Sequence, residues 1–230
     1  SWCRTLGPAV GLLLGVECIT GLVLMTIYSP SATTSWASVH YIEQLPWGSF
    51  LRGFHYWGGQ ALIVLSAIYL LVMFLSAAYR APRELVWISW LCIFPIIVVW
   101  TLSGSLINGT QTARGQIDVE TNIVGALPWV GPALQKLILG GYEIGHLAVI
   151  HLYFVHVMLL PVVVGLLAWL HVWQTNRSQE PVGAAAKTDP NAADQDRPAT
   201  AIAYRPYQSV RNLLVSVIVL AAVTAAAWWL

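Results

Sequence analysis

Charged residues are scarce in this chain of 230 residues, of which Asp, Glu, Lys and Arg make up only 9%. A soluble domain carries roughly 25%. A chain that is 57% hydrophobic and has so few charges is therefore typical of a protein that crosses a membrane several times. The net charge of +1 provides no broad basic surface, so no nucleic-acid partner is expected.

Cysteine is almost as scarce. Cys3, Cys18 and Cys92 lie in or beside apolar segments, and none of them belongs to a CxxC or CxxCH motif. This distribution argues against a disulfide framework and against the ordinary attachment motif of c-type haem. The chain is instead rich in tryptophan, with twelve residues, which suits the two interfacial belts of a membrane protein.

Five apolar segments are long enough to cross the ~30 Å hydrocarbon core at about 1.5 Å per residue. Of the eleven Lys and Arg residues, eight fall at the N-terminus, in the second and fourth connections and at the start of the fifth span. The positive-inside rule therefore predicts a cytoplasmic N-terminus. The predicted spans are residues 7–28, 54–78, 86–107, 144–173 and 210–229.

The two longest connections differ in composition. Residues 107–143 contain short amphipathic stretches, which predict helices lying on the outer face of the membrane. Residues 176–203 are rich in Ala, Asp, Pro and Gln, which predicts a flexible cytoplasmic linker. The predicted organisation is thus a four-helix domain over residues 1–175, the linker, and one further transmembrane helix within residues 204–230.

Two of these spans carry histidines at matching depths. His55 is followed after 14 residues by Tyr69, and His156 is followed after 15 residues by His171. At 100° per residue each pair returns to within about 60° of one helix face, some 20 Å along the axis. Two facing imidazoles in a helix bundle can ligate one haem iron from both sides. A hydrogen-bonded packing role remains the alternative, and spacing alone does not decide between them.

Glycines on the first and third spans have a related spacing. Gly7 and Gly21 are 14 residues apart, whereas the residue 14 positions before Gly104 is Trp90. A porphyrin pressed between helices needs positions without a side chain where the backbone crosses the ring. Close helix packing through small residues would produce the same pattern.

Together these features resemble the cytochrome b subunit of bc-type quinol:cytochrome complexes, in its short, split form. The resemblance covers about residues 1–175, and the YRPYQSVRNLL stretch at 204–214 is similar to the start of the family's second half. Its motifs are Gly7, Gly11, Thr20 and Gly21; ASVHYI at 37–42; Arg52 before His55; PREL at 82–85 and Trp87; Gln111 after Gly104; Pro128 and Gly131; and Pro161 after His156.

The resemblance implies an all-α, haem-binding membrane bundle with a fifth transmembrane helix. It implies that His55 and His156 ligate the iron of a haem b near the outer face, that Arg52 lies near a propionate, and that Gly21 and Gly104 lie against the ring. The expected function is electron transfer in a quinol-linked respiratory or photosynthetic complex of the bacterial cytoplasmic or photosynthetic membrane. The expected partners are the quinone pool, a Rieske-type or c-type cytochrome protein, and a second-half cytochrome b subunit. No catalytic side chain is predicted.

Two departures from the family affect the inner haem. Tyr69 stands where the second histidine of its helix is expected, and Trp90 stands at the glycine position. The inner haem is therefore predicted to be absent, and His171 is a ligand only if a second haem is present. A five-coordinate haem on His171 and ligation by Tyr69 remain alternatives. A covalent haem at Cys3 is not favoured, because the family's cysteine position corresponds to Thr5.

Other readings remain open. The chain could be a haem b membrane anchor that links the quinone pool to an extracytoplasmic oxidoreductase, or a haem-free subunit kept for assembly. Glu17 occupies a position where the family often has glutamine, and an interhelical polar contact is the simpler expectation for it. His40 is expected in a solvated loop.

Overall fold

The computed structural model describes residues 2–178 and 204–229, which are helical apart from short connections. Among these residues there is no β-strand. In chain order the helices are α1 (Cys3–Met25), α2 (Ser35–Gln44), α3 (Gly48–Leu75), α4 (Glu84–Leu106), α5 (Gln111–Gly125), α6 (Gly131–Leu139), α7 (His146–Phe154), a π-helical segment (Val155–Leu159), α8 (Leu160–Arg177) and α9 (Tyr204–Ala227).

Five described helices are long and apolar enough to cross a membrane, which confirms the predicted spans. They are α1, α3, α4, the continuous helix from α7 to α8, and α9. Their ends differ from the prediction by up to six residues, with α3 beginning at Gly48 and α9 at Tyr204. The reason is that helices continue through polar interfacial residues, whereas hydropathy detects only the apolar part.

The four N-terminal spans form a bundle. Helix α3 packs against α1 and α4, and α8 packs against α4, so that α3 and the fourth span face each other across the bundle. The core between them is apolar and closely packed. Its fully buried side chains include Leu13, Leu62, Met73, Ile93 and Ile97.

The fifth span, α9, covers the outer flank of α1 and α3. Gln208 is buried and its amide donates to Thr5 Oγ1 at 2.9 Å. At the other end, a Cβ at Gly53 would lie 3.2 Å from the carbonyl oxygen of Ala227, so glycine allows the two backbones to approach. Contacts at both ends therefore fix α9 onto the bundle as part of one structure.

The connections contain more helix than the sequence indicated. Helices α5 and α6 confirm the amphipathic helices predicted within residues 107–143. The expectation of a loop around His40 was wrong, because this residue lies in α2, where its ring stacks on Trp36 with centroids 5.3 Å apart. Its side chain is exposed, as expected. Most of the predicted linker, residues 179–203, lies outside the described residues, and α8 continues to Arg177 within its predicted start.

A π-helical segment interrupts the fourth span at Val155–Leu159. Pro161 follows it, and proline has no N–H to donate to the carbonyl four residues earlier and crowds that carbonyl. The local backbone therefore relaxes to the wider turn, which inserts one extra residue relative to an α-helix. Such π-bulges occur frequently at functional sites, and this one contains His156.

Candidate cofactor site

His55 lies on α3 and points toward α1. Its Nδ1 is 2.8 Å from Thr20 Oγ1 and 3.0 Å from a carboxylate oxygen of Glu17. The Thr20 hydroxyl donates its own hydrogen to the carbonyl of Val16, so it accepts from His55. Both neighbours are acceptors, which places the imidazole proton on Nδ1. Hydrogen bonds to the ring nitrogen that does not bind the metal fix the tautomer and orientation of metal-binding histidines.

His156 is held in the same way from α4. Its Nδ1 is 3.0 Å from the carbonyl oxygen of Trp100 and 3.0 Å from Ser103 Oγ. The Ser103 hydroxyl donates to the same Trp100 carbonyl, so both neighbours accept the Nδ1 proton. In return, the indole N–H of Trp100 donates to the backbone carbonyl of His156 at 2.9 Å. This reciprocal pair fastens the π-helical segment to α4.

The two imidazole rings face each other with centroids 6.3 Å apart and planes at 87°. An imidazole nitrogen lies about 2 Å from a bound metal and the ring centre about 1 Å further back, so two imidazoles on opposite sides of one ion have centres about 6 Å apart. In the described part of the chain, neither Nε2 makes a hydrogen bond. The pair therefore has the spacing and the free nitrogens of two axial ligands.

A cavity of about 250 Å³ adjoins the two histidines. Gly21 and Gly104 line it, and each lies against one imidazole. A Cβ at Gly21 would be 3.2 Å from His55 Cε1, and one at Gly104 would be 2.8 Å from His156 Cε1. Two of the predicted ring-contact glycines thus lie beside the predicted ligands, where any larger side chain would press on the imidazole.

Tyr28, which lies just beyond the end of α1, forms part of the cavity wall. Its hydroxyl donates to the carbonyl of Ile107, which joins the α1 end to the α4 end. Burial raises the pKa of Tyr28 above its ordinary value, so the phenol stays neutral and remains a donor.

Arg52 also lines the cavity. One of its terminal nitrogens pairs with Glu43, and its Nε is buried without a hydrogen-bond partner. A buried guanidinium N–H without an acceptor is costly, and a propionate at this edge would satisfy it. In the described residues no group of three or more His, Cys, Asp and Glu could hold a bare metal ion. Two imidazoles, two adjoining glycines and a free Arg52 N–H fit a haem, whose macrocycle supplies the remaining four ligands.

The Gly104→Ala substitution is expected to weaken haem retention about ten-fold, comparable with the loss of a hydrogen bond to a metal-ligating histidine. The added methyl group must displace the His156 ring, which Trp100 and Ser103 hold in place. Gly15→Ala is the matched control, since a Cβ there meets nothing within 4 Å. Haem per protein after detergent washing measures the effect, and equal haem contents in the two variants would contradict it.

The second predicted pair, Tyr69 and His171, is packed in a different way. The Tyr69 hydroxyl lies 3.2 Å from His171 Nε2, and Ser89 Oγ lies 2.9 Å from His171 Nδ1. The Ser89 hydroxyl donates to the Val86 carbonyl, so it accepts from Nδ1, and Nε2 then accepts from the tyrosine. Both nitrogens of His171 are therefore engaged by protein groups.

Trp90 fills the remaining space beside this pair. Its ring centroid is 4.7 Å from that of Tyr69 and 5.0 Å from that of His171. Its indole N–H donates to the carbonyl of Ser66 at 3.3 Å. Trp90 is 3% exposed, and Tyr69 and His171 are each 5% exposed. This cluster is a packed core. The porphyrin ring of a second haem at this depth would require its side chains to move.

The polar partners of the histidines were not predicted from the sequence. A signal was present, because each glycine against an imidazole follows a hydroxyl residue, in Thr20-Gly21 and again in Ser103-Gly104. The hydroxyl recurs in Ser89, which bonds His171, but Trp90 follows it where glycine would be expected. Glu17 was expected to make an interhelical polar contact, and its partner is a predicted haem ligand.

The structure superposes on a chain described as hyperthermophilic respiratory Complex III with a TM-score of 0.82 and 20% sequence identity, covering 99% of this chain and 60% of that one. This likeness establishes the fold. The sequence model of the family described as cytochrome b (N-terminal)/b6/petB matches residues 60–229. The chain belongs to this cytochrome b family.

Two relatives indicate the range within the family. The chain is 31% identical over 156 residues to the menaquinol:cytochrome c reductase cytochrome b subunit of Geobacillus thermodenitrificans, covering 66% of this chain and 70% of that protein. It is 29% identical over 220 residues to the cytochrome b of Allochromatium vinosum, covering 94% of this chain and 53% of that protein. The chain thus spans about half the length of the long cytochrome b form. Its family and its five apolar spans make it an integral membrane protein.

Proposed function

We propose that this chain is the cytochrome b electron-transfer subunit of a quinol-linked membrane complex, with one haem b held between His55 and His156. The observation that carries the proposal is the facing pair of imidazoles, with centroids 6.3 Å apart. Each ring is hydrogen-bonded through Nδ1 and makes no hydrogen bond through Nε2 among the described residues. Membership of the cytochrome b family supports the choice of haem b.

The roles of the surrounding residues follow from their positions. When bound, haem b supplies a reversible one-electron change at iron. His55 and His156 would fill both axial positions, which leaves no open position for oxygen. Gly21 and Gly104 would let the backbones of α1 and α4 pass over the ring, and the free N–H of Arg52 would pair with a propionate.

The proposal includes one haem site and not two. The support comes from His171, whose two nitrogens are bonded to Tyr69 and Ser89, and from Trp90, which fills the space beside them. The second site lies some 20 Å along the helices from the first. Electrons would then remain on the His55 side of the membrane or cross through a neighbouring subunit.

The proposed partners follow from the relatives. A protein of 31% identity is called a menaquinol:cytochrome c reductase subunit, which supports a quinone-pool donor and a Rieske-type or c-type cytochrome acceptor. The resemblance to the short, split form of the family supports a second-half cytochrome b subunit as a further partner. The same names favour this function over a membrane anchor of an extracytoplasmic oxidoreductase. By its positive charges, the N-terminus is proposed to be cytoplasmic.

Haem stoichiometry tests the proposed function directly. We expect one haem b per chain by pyridine haemochrome assay on the purified protein, with a low-spin b-type spectrum after dithionite reduction. Two haems per chain would contradict the assignment of the Tyr69–His171 cluster as a packed core. If the native membrane complex is purified with this subunit folded but without haem b, that result would contradict the proposed function itself.

A further inference from the structure

Glu17 is a carboxylic acid in the middle of a membrane-spanning helix. It is 6% exposed and belongs to α1, which has no other acidic or basic residue after Arg4. Intramembrane carboxylates are costly and mark function more often than other residues do. A polar contact that serves only to join two helices does not require an acid, because an amide of the same shape makes the same contact.

The Glu17 carboxylate is aimed at one atom of the haem site. Its Oε2 lies 3.0 Å from His55 Nδ1, while its Oε1 is buried without a hydrogen-bond partner in the described part of the chain. Gly58 makes room for it, since a Cβ at that position would collide with Oε1. Glu17 also lines the cavity between the histidines. The site therefore accommodates the acid at a specific position and leaves one of its oxygens unused.

The two imidazoles differ in their Nδ1 partners. His156 donates to the Trp100 carbonyl and the Ser103 hydroxyl, both of which are neutral. His55 donates to the neutral Thr20 hydroxyl and also to Glu17. A hydrogen bond to a carboxylate is stronger than one to a neutral acceptor and raises the basicity of the ligating nitrogen. Only one side of the site carries this additional interaction.

We propose that Glu17 is a positioning residue that holds His55 with its proton on Nδ1 and lowers the reduction potential of the haem. The inference rests on the proposed function. A ferric porphyrin carries one positive charge that reduction removes, so a nearby carboxylate and a more basic imidazole both stabilise the oxidised form. The basicity of the axial ligands and the hydrogen bonds made to them are established determinants of haem potential.

The test is a redox titration of the haem b band in the native complex and in Glu17→Gln, which keeps the shape and removes the charge. We expect the ratio of the affinity for ferric haem to the affinity for ferrous haem to fall about ten-fold. For a one-electron couple this raises the reduction potential by about 59 mV. Ser103→Ala is the matched control on the opposite ring, and its shift should be less than half as large, because it removes a neutral acceptor. Glu17→Asp, which keeps a charge but withdraws it from Nδ1, should give a smaller rise than Glu17→Gln.

The outcomes separate this inference from the proposed function. A native complex without a haem b band contradicts the function. A haem that is retained at full stoichiometry in Glu17→Gln with an unchanged or lowered potential contradicts the inference alone. If Glu17→Gln does not accumulate, Glu17→Asp decides the question: a potential equal to that of the native protein would overturn the proposal.

Discussion

Replacing His156 with alanine is expected to reduce the haem content of the purified protein to below about one tenth of its native value. Loss of a residue that hydrogen-bonds a metal ligand costs about 10–100-fold in metal affinity, and this substitution removes a proposed ligand itself. It also removes the Nδ1–H that donates to the Trp100 carbonyl and the Ser103 hydroxyl. Haem per protein by pyridine haemochrome assay, with helix content by circular dichroism, measures the result.

His151→Ala is the matched control for this prediction. His151 lies five residues earlier on the same membrane-spanning helix, and its Nδ1 donates to the carbonyl of Leu137 on α6 rather than to the haem site. Its substitution should leave haem content within error of the native protein. Full haem retention in His156→Ala would show that the ligand assignment is wrong, as would equal losses in the two variants.

Substituting Tyr69→His and Trp90→Gly together is expected to increase the haem content from one to two per chain. The tyrosine change breaks the Tyr69–His171 hydrogen bond and supplies a second imidazole. The tryptophan change removes the ring that packs on both partners. Gly7 on α1 faces this cluster, since a Cβ there would lie 3.6 Å from the Tyr69 hydroxyl. Stoichiometry and a second wave in the redox titration measure the gain.

The single variants are the controls for this gain. Tyr69→His alone should stay at one haem, because Trp90 still fills the space. Trp90→Gly alone should destabilise the bundle by about 3–5 kcal/mol, the usual cost of removing a large buried aromatic side chain, without adding haem. A double variant that folds, is supplied with haem and still binds one would indicate that other side chains close this site.

The amino-acid sequence was sufficient to predict the features that depend on composition and on the period of the α-helix. Five apolar runs predicted five spans, because the hydrocarbon core admits few other structures. The 14- and 15-residue spacings placed the two pairs at two depths, because the α-helix has a fixed rise and turn. The structure brings His55 and His156 together as that geometry requires, although the π-helical segment adds one residue to the fourth span.

Other features depend on partners that are distant along the chain. Helix α2 was read as a loop because it is short and amphipathic, and its packing against α3 stabilises it. The segment at Val155–Leu159 depends on Pro161 together with the Trp100 contacts. Neither hydropathy nor helical period detects interactions between residues so far apart.

The amino-acid sequence alone determined that the protein spans a membrane, how many spans it has and which residue types lie at each depth. The reason is that the hydrocarbon core limits the length and polarity of any segment that crosses it. The tertiary structure decided which nitrogen of His55 and of His156 is free of hydrogen bonds among the described residues. It also decided that His171 is bonded on both sides and that Glu17 meets His55. These are contacts between helices, and an interhelical hydrogen bond depends on the relative rotation of two helices, which neither helix specifies on its own.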